Sequence, residues 1–534
     1  MKKAVLLSLI AAYSVSFAQT QLVFVYFTGK PNKAAFYANP LSELSQKSLN
    51  RRTALGIPLN DQDAPVEPAY IQNIQNLGFT VTDYSKWLNG VAVNATPAQI
   101  QMLQSQPYVQ SVESFAKNTS GTIKVLHTDK WQTQTDIQNF QTTFDYGSAA
   151  QQIDQINLKP LHLAGYTGTG VTVAVIDTGF PFVNTGSAFS RLWTNNHIKG
   201  GYDFVTKGTD IYNPGLNNHG SVVLGAIGGY ITNSFVGSAP DADFYLYRSE
   251  NAAVEIPEEE LYWIEAAEEA DRKGVDMITT SLGYSTFDDP RYNYTYADMN
   301  GETSFIARAA GIAVSKGIFV LIAAGNSGQT SWHYITTPAD NAQVFTIGSV
   351  DSAGASSGFS SYGPNSAGVV KPDASARGTA SATVDNNSTV TVSGTSIATP
   401  IAAGGVACLI QAFTTMNRNL MHSRLRQTAS LFPGHTDQMG YGILNFGKFY
   451  NMTLNTSELV RKNSITVFPN PVRNIVNIAS ESEVVHLEVY DSLGRLITKA
   501  EHQKSVSVGD FAKGVYYMKI QTKDAVYYEK FIKE

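Results

Sequence analysis

The chain has 534 residues, of which 15% are charged and 43% hydrophobic, and a formal net charge of −6. Such a length calls for two to four domains, and the apolar content suffices for a large core. Basic residues are outnumbered and unclustered, so no nucleic-acid partner is expected. One cysteine, Cys408, allows no internal disulfide.

The first residues, MKKAVLLSLIAAYSVSFA, carry Lys2 and Lys3, then an apolar stretch, then small residues up to Ala18. This is the pattern of a secretory signal peptide over residues 1–18, and the stretch is short for a bilayer span. A secreted protein is therefore expected. Residues 19–117 read as a small α+β unit. QLVFVYF (21–27) is strand-like, and PLSELSQKSLNRRTALG (40–56) is helical with a glycine stop. YIQNIQNLG (70–78) is helical, while FTVTDYS (79–85) and LNGVAVNA (88–95) are strands. A helix opens at Thr96, with Pro97 at its first position, and VQSVESF (109–115) closes the unit. Residues 118–145 are polar, lack periodicity and read as an exposed linker or processing region.

Residues 146–455 alternate strands and helices. VTVAVID (171–177), ADFYLYR (242–248), VDMITTSLG (275–283), IFVLIAAGN (318–326) and VFTIGSV (344–350) are apolar runs of strand length. Between them lie HGSVVLGAIGG (219–229), IPEEELYWIEAAEEADRKG (256–274) and TSFIARAAGIAVSKG (303–317), which are helix-like. The second of these has Glu258, Glu259 and Glu260 in its first turn and Arg272 and Lys273 in its last, charges that suit the helix dipole. Apolar strands separated by helices predict an α/β domain, a parallel sheet with helices on both faces. Ligands of such sheets bind beyond the carboxyl ends of the strands. Cys408, in a small-residue run, reads as a buried side chain. Residues 461–534 change character: SITVFPNP, HLEVYDSLGRLIT, GVYYMKIQT and AVYYEKFIKE sit between Pro- and Gly-containing turns, as in a small all-β sandwich.

Four polar residues fall at the rim of the predicted sheet. Asp177 ends VTVAVID, His219 begins a helix, Asn326 ends IFVLIAAGN, and Ser396 begins a helix in VSGTSIATPIAAGG (392–405). Each has an ordinary alternative: a turn residue for Asp177, a structural histidine for His219, a strand-end turn for Asn326, a helix N-cap for Ser396. Together they supply what acyl transfer needs: a nucleophile, a base, a carboxylate that orients the base, and a donor for the oxyanion. The order Asp, His, Ser opposes an esterase of the α/β-hydrolase type.

The segments VAVIDTGF, NNHGSVVLGAIGG, TTSLGYS, AAGNSG, FSSYGP, KPDASARG and GTSIATPIAAG, in that order, resemble the subtilisin-like serine proteases. The resemblance implies a secreted endopeptidase with Asp177, His219 and Ser396 as the triad and Asn326 as oxyanion donor. It also implies a substrate cleft lined by Ser281, Leu282 and Gly283 and by Ala323, Ala324 and Gly325, pairing with an extended peptide as added strands do. Three places depart from the family pattern: Ser221-Val222-Val223 after the histidine, Ile397 after the serine, and SARG at 375–378. By the same kind of resemblance, residues 19–117 are similar to an inhibitor-type propeptide and 461–534 to the C-terminal sorting domain of the type IX secretion system. The expected partners are protein or peptide substrates, the chain's own propeptide and the secretion machinery. No cofactor is required for the chemistry. Calcium is common in such proteases, and Asp288, Asp289, Asp298, Asn300 and Glu302 offer oxygen ligands for a structural ion, although their spacing matches no defined loop.

Overall fold

The structure is a computed structural model and describes residues 19–117, 132–133, 144–462, 465–480, 482–491, 495–523 and 526–534. The expected signal peptide and most of 118–145 lie outside the described residues. The chain divides into two compact units, one up to Lys448 and one from Phe449 onward.

The first unit is built on seven parallel strands in the order Ala374–Arg377, Phe345–Val350, Phe319–Ala323, Met277–Thr280, Thr172–Asp177, Asp243–Arg248, Ile198–Asp203. The five strands read from the sequence are the middle five. The two edge strands were not expected: Ile198–Asp203 contains two glycines, and Ala374–Arg377 has only four residues. Register fixes what emerges at the carboxyl edge. Thr280 pairs with both Ile176 and Ile322, so Asp177, Ser281 and Ala323 leave the sheet side by side.

The faces follow from the two-residue period of a strand. Ala174, Ile176, Ile278, Val320 and Ile322 pack under helices Glu258–Lys273 and Phe305–Ser315. Val173, Val175 and Asp177 therefore face the other side, where helices His219–Gly228 and Thr395–Ala412 lie against the sheet and each other. Thr395–Ala412 is long and apolar enough to cross a membrane, but 89% of its apolar window is buried, which makes it the core helix of this unit. Cys408 is a free, fully buried thiol on it, and burial pushes its pKa up.

A second sheet, antiparallel, has the order Asp83–Ser85, Gly90–Ala95, Gln21–Phe27, Val109–Ser114. One face carries Val23, Val25, Phe27, Val91 and Val93 beneath helices Pro68–Asn76 and Pro97–Gln104. From the other face Leu22, Phe24 and Ala92, with Trp87 and Phe115, join the core around helices Glu258–Lys273 and Phe305–Ser315. The rings of Phe115 and Phe305 stack at 3.9 Å. Around this apolar contact, the Glu268 carboxylate accepts from the Ser85 hydroxyl at 2.5 Å and the Trp87 N–H at 3.0 Å. The helix read at 40–56 is a 3₁₀ turn, Pro40–Ser42, followed by helix Gln46–Leu55, because Ser45 caps the latter through the Ser48 N–H. FTVTDYS contributes only Asp83–Ser85 to the sheet. Of the expected linker, Gln132–Thr133 pairs antiparallel with strand Ser388–Ser393, which leads into Ser396.

The second unit holds a three-stranded sheet (Thr466–Phe468, Ile475–Ala479, Ser505–Ser507) and a four-stranded one (Leu496–Glu501, Val484–Tyr490, Gly514–Thr522, Val526–Lys533). Val472, Val476, Leu487, Val489, Met518, Ile520 and Phe531 form one apolar core between them, the sandwich expected from the sequence.

Close packing of the core helix needs glycine. An ideal Cβ on Gly404 would stand 2.0 Å from Ser238 Oγ and 2.6 Å from the Ser238 carbonyl carbon. Gly404→Ala is therefore expected to destabilise the first unit by about 1–3 kcal/mol through overpacking. Calorimetry should read this as a Tm lowered by roughly 2–10 °C; an unchanged Tm would show that the Ser238 turn yields freely.

Candidate active site

Ser396 does not cap its helix. Gly394 occupies the N-cap position, Thr395 is the first helical residue and Ser396 the second. The cap comes from elsewhere: Asn326 Oδ1 accepts from the Thr395 N–H at 2.8 Å and from the Thr395 hydroxyl at 3.0 Å. Asn326 thereby satisfies a donor that a buried helix start leaves open, and its Nδ2 is turned away from the cap. An ideal Cβ on Gly394 would meet Ser396 Oγ at 2.8 Å and Asn326 Nδ2 at 3.4 Å. Hydroxyl and amide thus converge on the corner that this glycine leaves open. Ser396 is 2% exposed, and its Oγ makes no hydrogen bond among the described residues.

Pro400 lies inside the same helix. It lacks the N–H that would bond the carbonyl of residue 396. Ser281 Oγ donates to that carbonyl instead, at 2.9 Å. The first turn is therefore tied to two neighbouring strand ends, by Asn326 after Phe319–Ala323 and by Ser281 after Met277–Thr280.

Asp177 is fully buried at the end of the adjacent strand. Its Oδ1 accepts from the Thr178 N–H at 2.8 Å and from His219 Nδ1 at 2.6 Å. An Nδ1 that donates to a carboxylate leaves Nε2 as the basic nitrogen of the neutral ring. His219 reaches Asp177 because its neighbour has no side chain: a Cβ on Gly220 would stand 2.3 Å from the Gly179 carbonyl oxygen and 3.0 Å from Asp177 Cβ. Ser221, one of the departures from the family pattern, donates to the Pro181 carbonyl at 2.6 Å and so pins the same turn.

The six residues expected to line the cleft lie at the carboxyl ends of the two neighbouring strands. Leu282 and Gly283 make no backbone hydrogen bond to another backbone group among the described residues. Ala324 and Gly325 are engaged internally, the first through its N–H to the Ile347 carbonyl at 3.0 Å, the second through its N–H to the Thr395 hydroxyl at 3.2 Å. Ala323 is the last residue of its strand and is buried. Sequence reasoning missed Thr336. Its Oγ1 would lie 2.3 Å from a Cβ on Gly283 and 3.3 Å from one on Gly325, so it sits between the two segments expected to line the cleft. Nothing in YITTPAD marks it; only the fold brings it there.

The five oxygen ligands considered for calcium do not converge. Asp289 pairs with Arg291, Asp288 accepts from the Glu255 N–H, Asp298 from the Thr295 N–H, and Asn300 from the Glu302 and Thr303 N–H groups. Among the described residues no group of three or more His, Cys, Asp or Glu is placed to hold a metal.

A parallel sheet with a serine-bearing helix, an aspartate–histidine pair and an amide at one edge is the arrangement of a serine peptidase, and comparison with known proteins gives the family. The subtilase family model, peptidase S8, matches residues 168–442, and the chain belongs to that family. The peptidase S8 propeptide domain of Bacteroidota matches residues 22–134, and the secretion system C-terminal sorting domain residues 466–534. Subtilisin NAT of Bacillus subtilis subsp. natto and subtilisin E of Bacillus subtilis (strain 168) are each 31% identical over 380 residues, 70% of this chain and 83% of theirs. The thermostable alkaline protease of Halalkalibacterium halodurans is 28% identical over 303 residues, 55% of this chain and 72% of its own. Among solved structures, a serine-to-alanine mutant of the epidermin leader peptide processing serine protease of Staphylococcus aureus shares the fold, with a TM-score of 0.52 at 16% identity over 81% of this chain and 99% of that one. The chain is a serine endopeptidase made as a proprotein, and its sorting domain marks it for export to the cell surface or medium.

Ile397 follows the serine and is fully buried. The family pattern has methionine there, whose sulfoxide would place a polar group beside the serine. Ile397→Met is expected to keep activity within about tenfold, since volume-conserving swaps cost under about 1.5 kcal/mol. It should then lose activity in dilute peroxide faster than the parent. Residual activity against time, with peptide mapping of the oxidised sulfur, checks this; equal rates with position 397 oxidised would refute it.

Proposed function

We propose that Ser396 is the nucleophile, His219 the general base and then acid, Asp177 the carboxylate that orients the imidazole, and Asn326 the oxyanion donor. The observation that carries the assignment is the double use of Asn326. Its oxygen caps the helix that bears Ser396, and its nitrogen faces the corner where Ser396 Oγ ends.

His219 Nε2 takes the hydroxyl proton as Oγ attacks the scissile carbonyl. The imidazolium that forms is stabilised by the buried Asp177 carboxylate. Asn326 Nδ2 and the N–H groups of the first helical turn stabilise the developing oxyanion, aided by the positive end of the helix dipole. His219 returns the proton to the leaving amine, and water repeats the sequence on the acyl-enzyme. No cofactor is needed for these steps. An extended substrate binds as a strand along Leu282 and Gly283, with Ser281, Ala323, Ala324 and Gly325 forming the walls.

Residues 1–18 are the signal peptide, 19–117 the inhibitory propeptide, 118–145 the processing region, 146–455 the catalytic domain and 461–534 the type IX sorting domain. The two residues Gln132–Thr133, paired with the strand that leads to Ser396, support a chain that passes beside the nucleophile before it is processed.

Ser396→Ala is expected to abolish turnover of a peptide amide with the fold unchanged. Asn326→Ala is expected to lower kcat by about 10²–10³-fold or more, since it removes one oxyanion donor and also the cap of the helix that bears Ser396. Steady-state kinetics check both, and an Asn326→Ala kcat near that of the parent would remove Asn326 from the mechanism. A chain ending before Arg461 is expected to remain an active peptidase and to accumulate in the periplasm of a host with type IX secretion. Fractionation with activity assays tests this; normal export would overturn the sorting assignment.

A further inference from the structure

We propose that helix Gln46–Leu55 and the loop behind it form a polar lock that holds the propeptide on the catalytic domain after the chain between them is cut, with Asp271 as its receptor. The proposal rests on the reading of residues 19–117 as an inhibitory propeptide. The apolar sheet contact described above is one attachment; this is a second, chemically different one.

The lock is a cluster of five charged side chains, each at most 3% exposed. Arg51 and Arg52 come from the propeptide region, residues 19–117, and both reach Asp271 near the end of helix Glu258–Lys273, at 2.5 and 2.6 Å. Arg52 also pairs at 2.9 Å with Asp63 of its own region, and Arg51 donates to the Val275 carbonyl. In the opposite direction, Lys316 of the catalytic domain reaches Asn60 Oδ1 at 2.7 Å and Asp63 at 3.1 Å. Cations thus cross the interface both ways. Arginine suits the C-terminal end of a helix, where the dipole is negative and carbonyls lack partners.

The landing site is shaped for this helix. Gly274 and Gly317 stop the two catalytic-domain helices with φ of +79° and +84°. A Cβ on Gly274 would stand 2.5 Å from the Ser48 nitrogen, and one on Gly317 2.6 Å from Ile57 Cδ1 and 2.8 Å from Leu55 Cδ1. Each glycine therefore serves as a helix stop and as a gap into which the propeptide fits.

The position separates the lock from the chemistry. Lys47, on the same helix, pairs with Asp276 at 3.3 Å, and Asp276 accepts from the N–H of Thr172, the first residue of the strand that ends in Asp177. Five residues of strand put this Lys47–Asp276 contact, beside the lock, roughly 17 Å from Asp177, at the amino edge of the sheet. The lock can grip while the cleft is empty. A broken buried pair leaves a charge without a partner and acts mainly on the rate of dissociation.

The test uses the full chain. Parent, Arg51→Met and Asp271→Asn chains are matured, then diluted, and the turnover of a small amide substrate is followed as the propeptide leaves; size exclusion reports whether the fragment is bound. In the parent the fragment is expected to co-elute and turnover to be suppressed. A parent fragment that separates at once, or full turnover with it bound, would overturn the propeptide reading itself. With the parent latent, each variant is expected to gain activity about tenfold faster or more. Arg51→Met leaves the catalytic domain unchanged, so its final turnover should equal that of the parent, which reports a properly folded product. Release as slow as in the parent, with equal final turnover, would overturn the lock. Asp271→Asn carries the same comparison if Arg51→Met yields no folded product.

Discussion

A helix that starts inside a protein leaves backbone N–H groups that water cannot reach, and Thr395–Ala412 starts in that way. The partner of its first N–H is the Asn326 side chain, and the carbonyl that Pro400 leaves open is met by Ser281. These two bonds bring three segments into one small volume: the serine-bearing turn and the ends of two neighbouring strands. They also leave the Ser396 hydroxyl without a structural task, since neither bond uses it. The aspartate–histidine pair arrives by the same logic of strand ends, because Asp177 ends the next strand of the sheet and Gly220 lets the histidine helix close on it.

Much of this was legible in the sequence where a segment's local chemistry agrees with its environment. Helix Glu258–Lys273 runs from the acidic turn to Gly274 as its charges imply, and the central strands follow their apolar runs. Asp177, His219, Asn326 and Ser396 each end a strand or begin a helix, which puts them at the rim of the predicted sheet. What the sequence hid depends on partners distant in the chain. Ser396 looks like a cap until Asn326 is seen to supply the cap from 69 residues away, as the Thr395 contact shows. Thr336 gains its place only through Gly283 and Gly325. Ile198–Asp203 becomes a strand because Asp243–Arg248 offers a partner, against the preference of its two glycines. The acidic run 288–302 offers oxygen ligands, but Asp289 is engaged by Arg291, Asp298 by the Thr295 N–H and Asp288 by the Glu255 N–H from a distant segment.

The propeptide region, residues 19–117, follows a different physical plan from the catalytic core it packs on. Its apolar face extends the core, through the Phe115–Phe305 stack and the residues around Phe24. Its helical insertion instead exchanges buried charges with Asp271 and Lys316. Apolar contact supplies affinity without direction, whereas the charge cluster demands one register of one helix. The C-terminal unit has its own core and is compact by itself, as expected of a module whose task is separate from catalysis.

The proposal that Ser396 is the activated hydroxyl of the catalytic domain has a direct test. Labelling of the matured protein with a fluorophosphonate, followed by mass spectrometry of its peptides, measures this directly. The expected result is a single adduct on the peptide that carries Ser396, formed in step with loss of activity. An adduct on another serine, or full loss of activity with Ser396 unlabelled, would contradict the account.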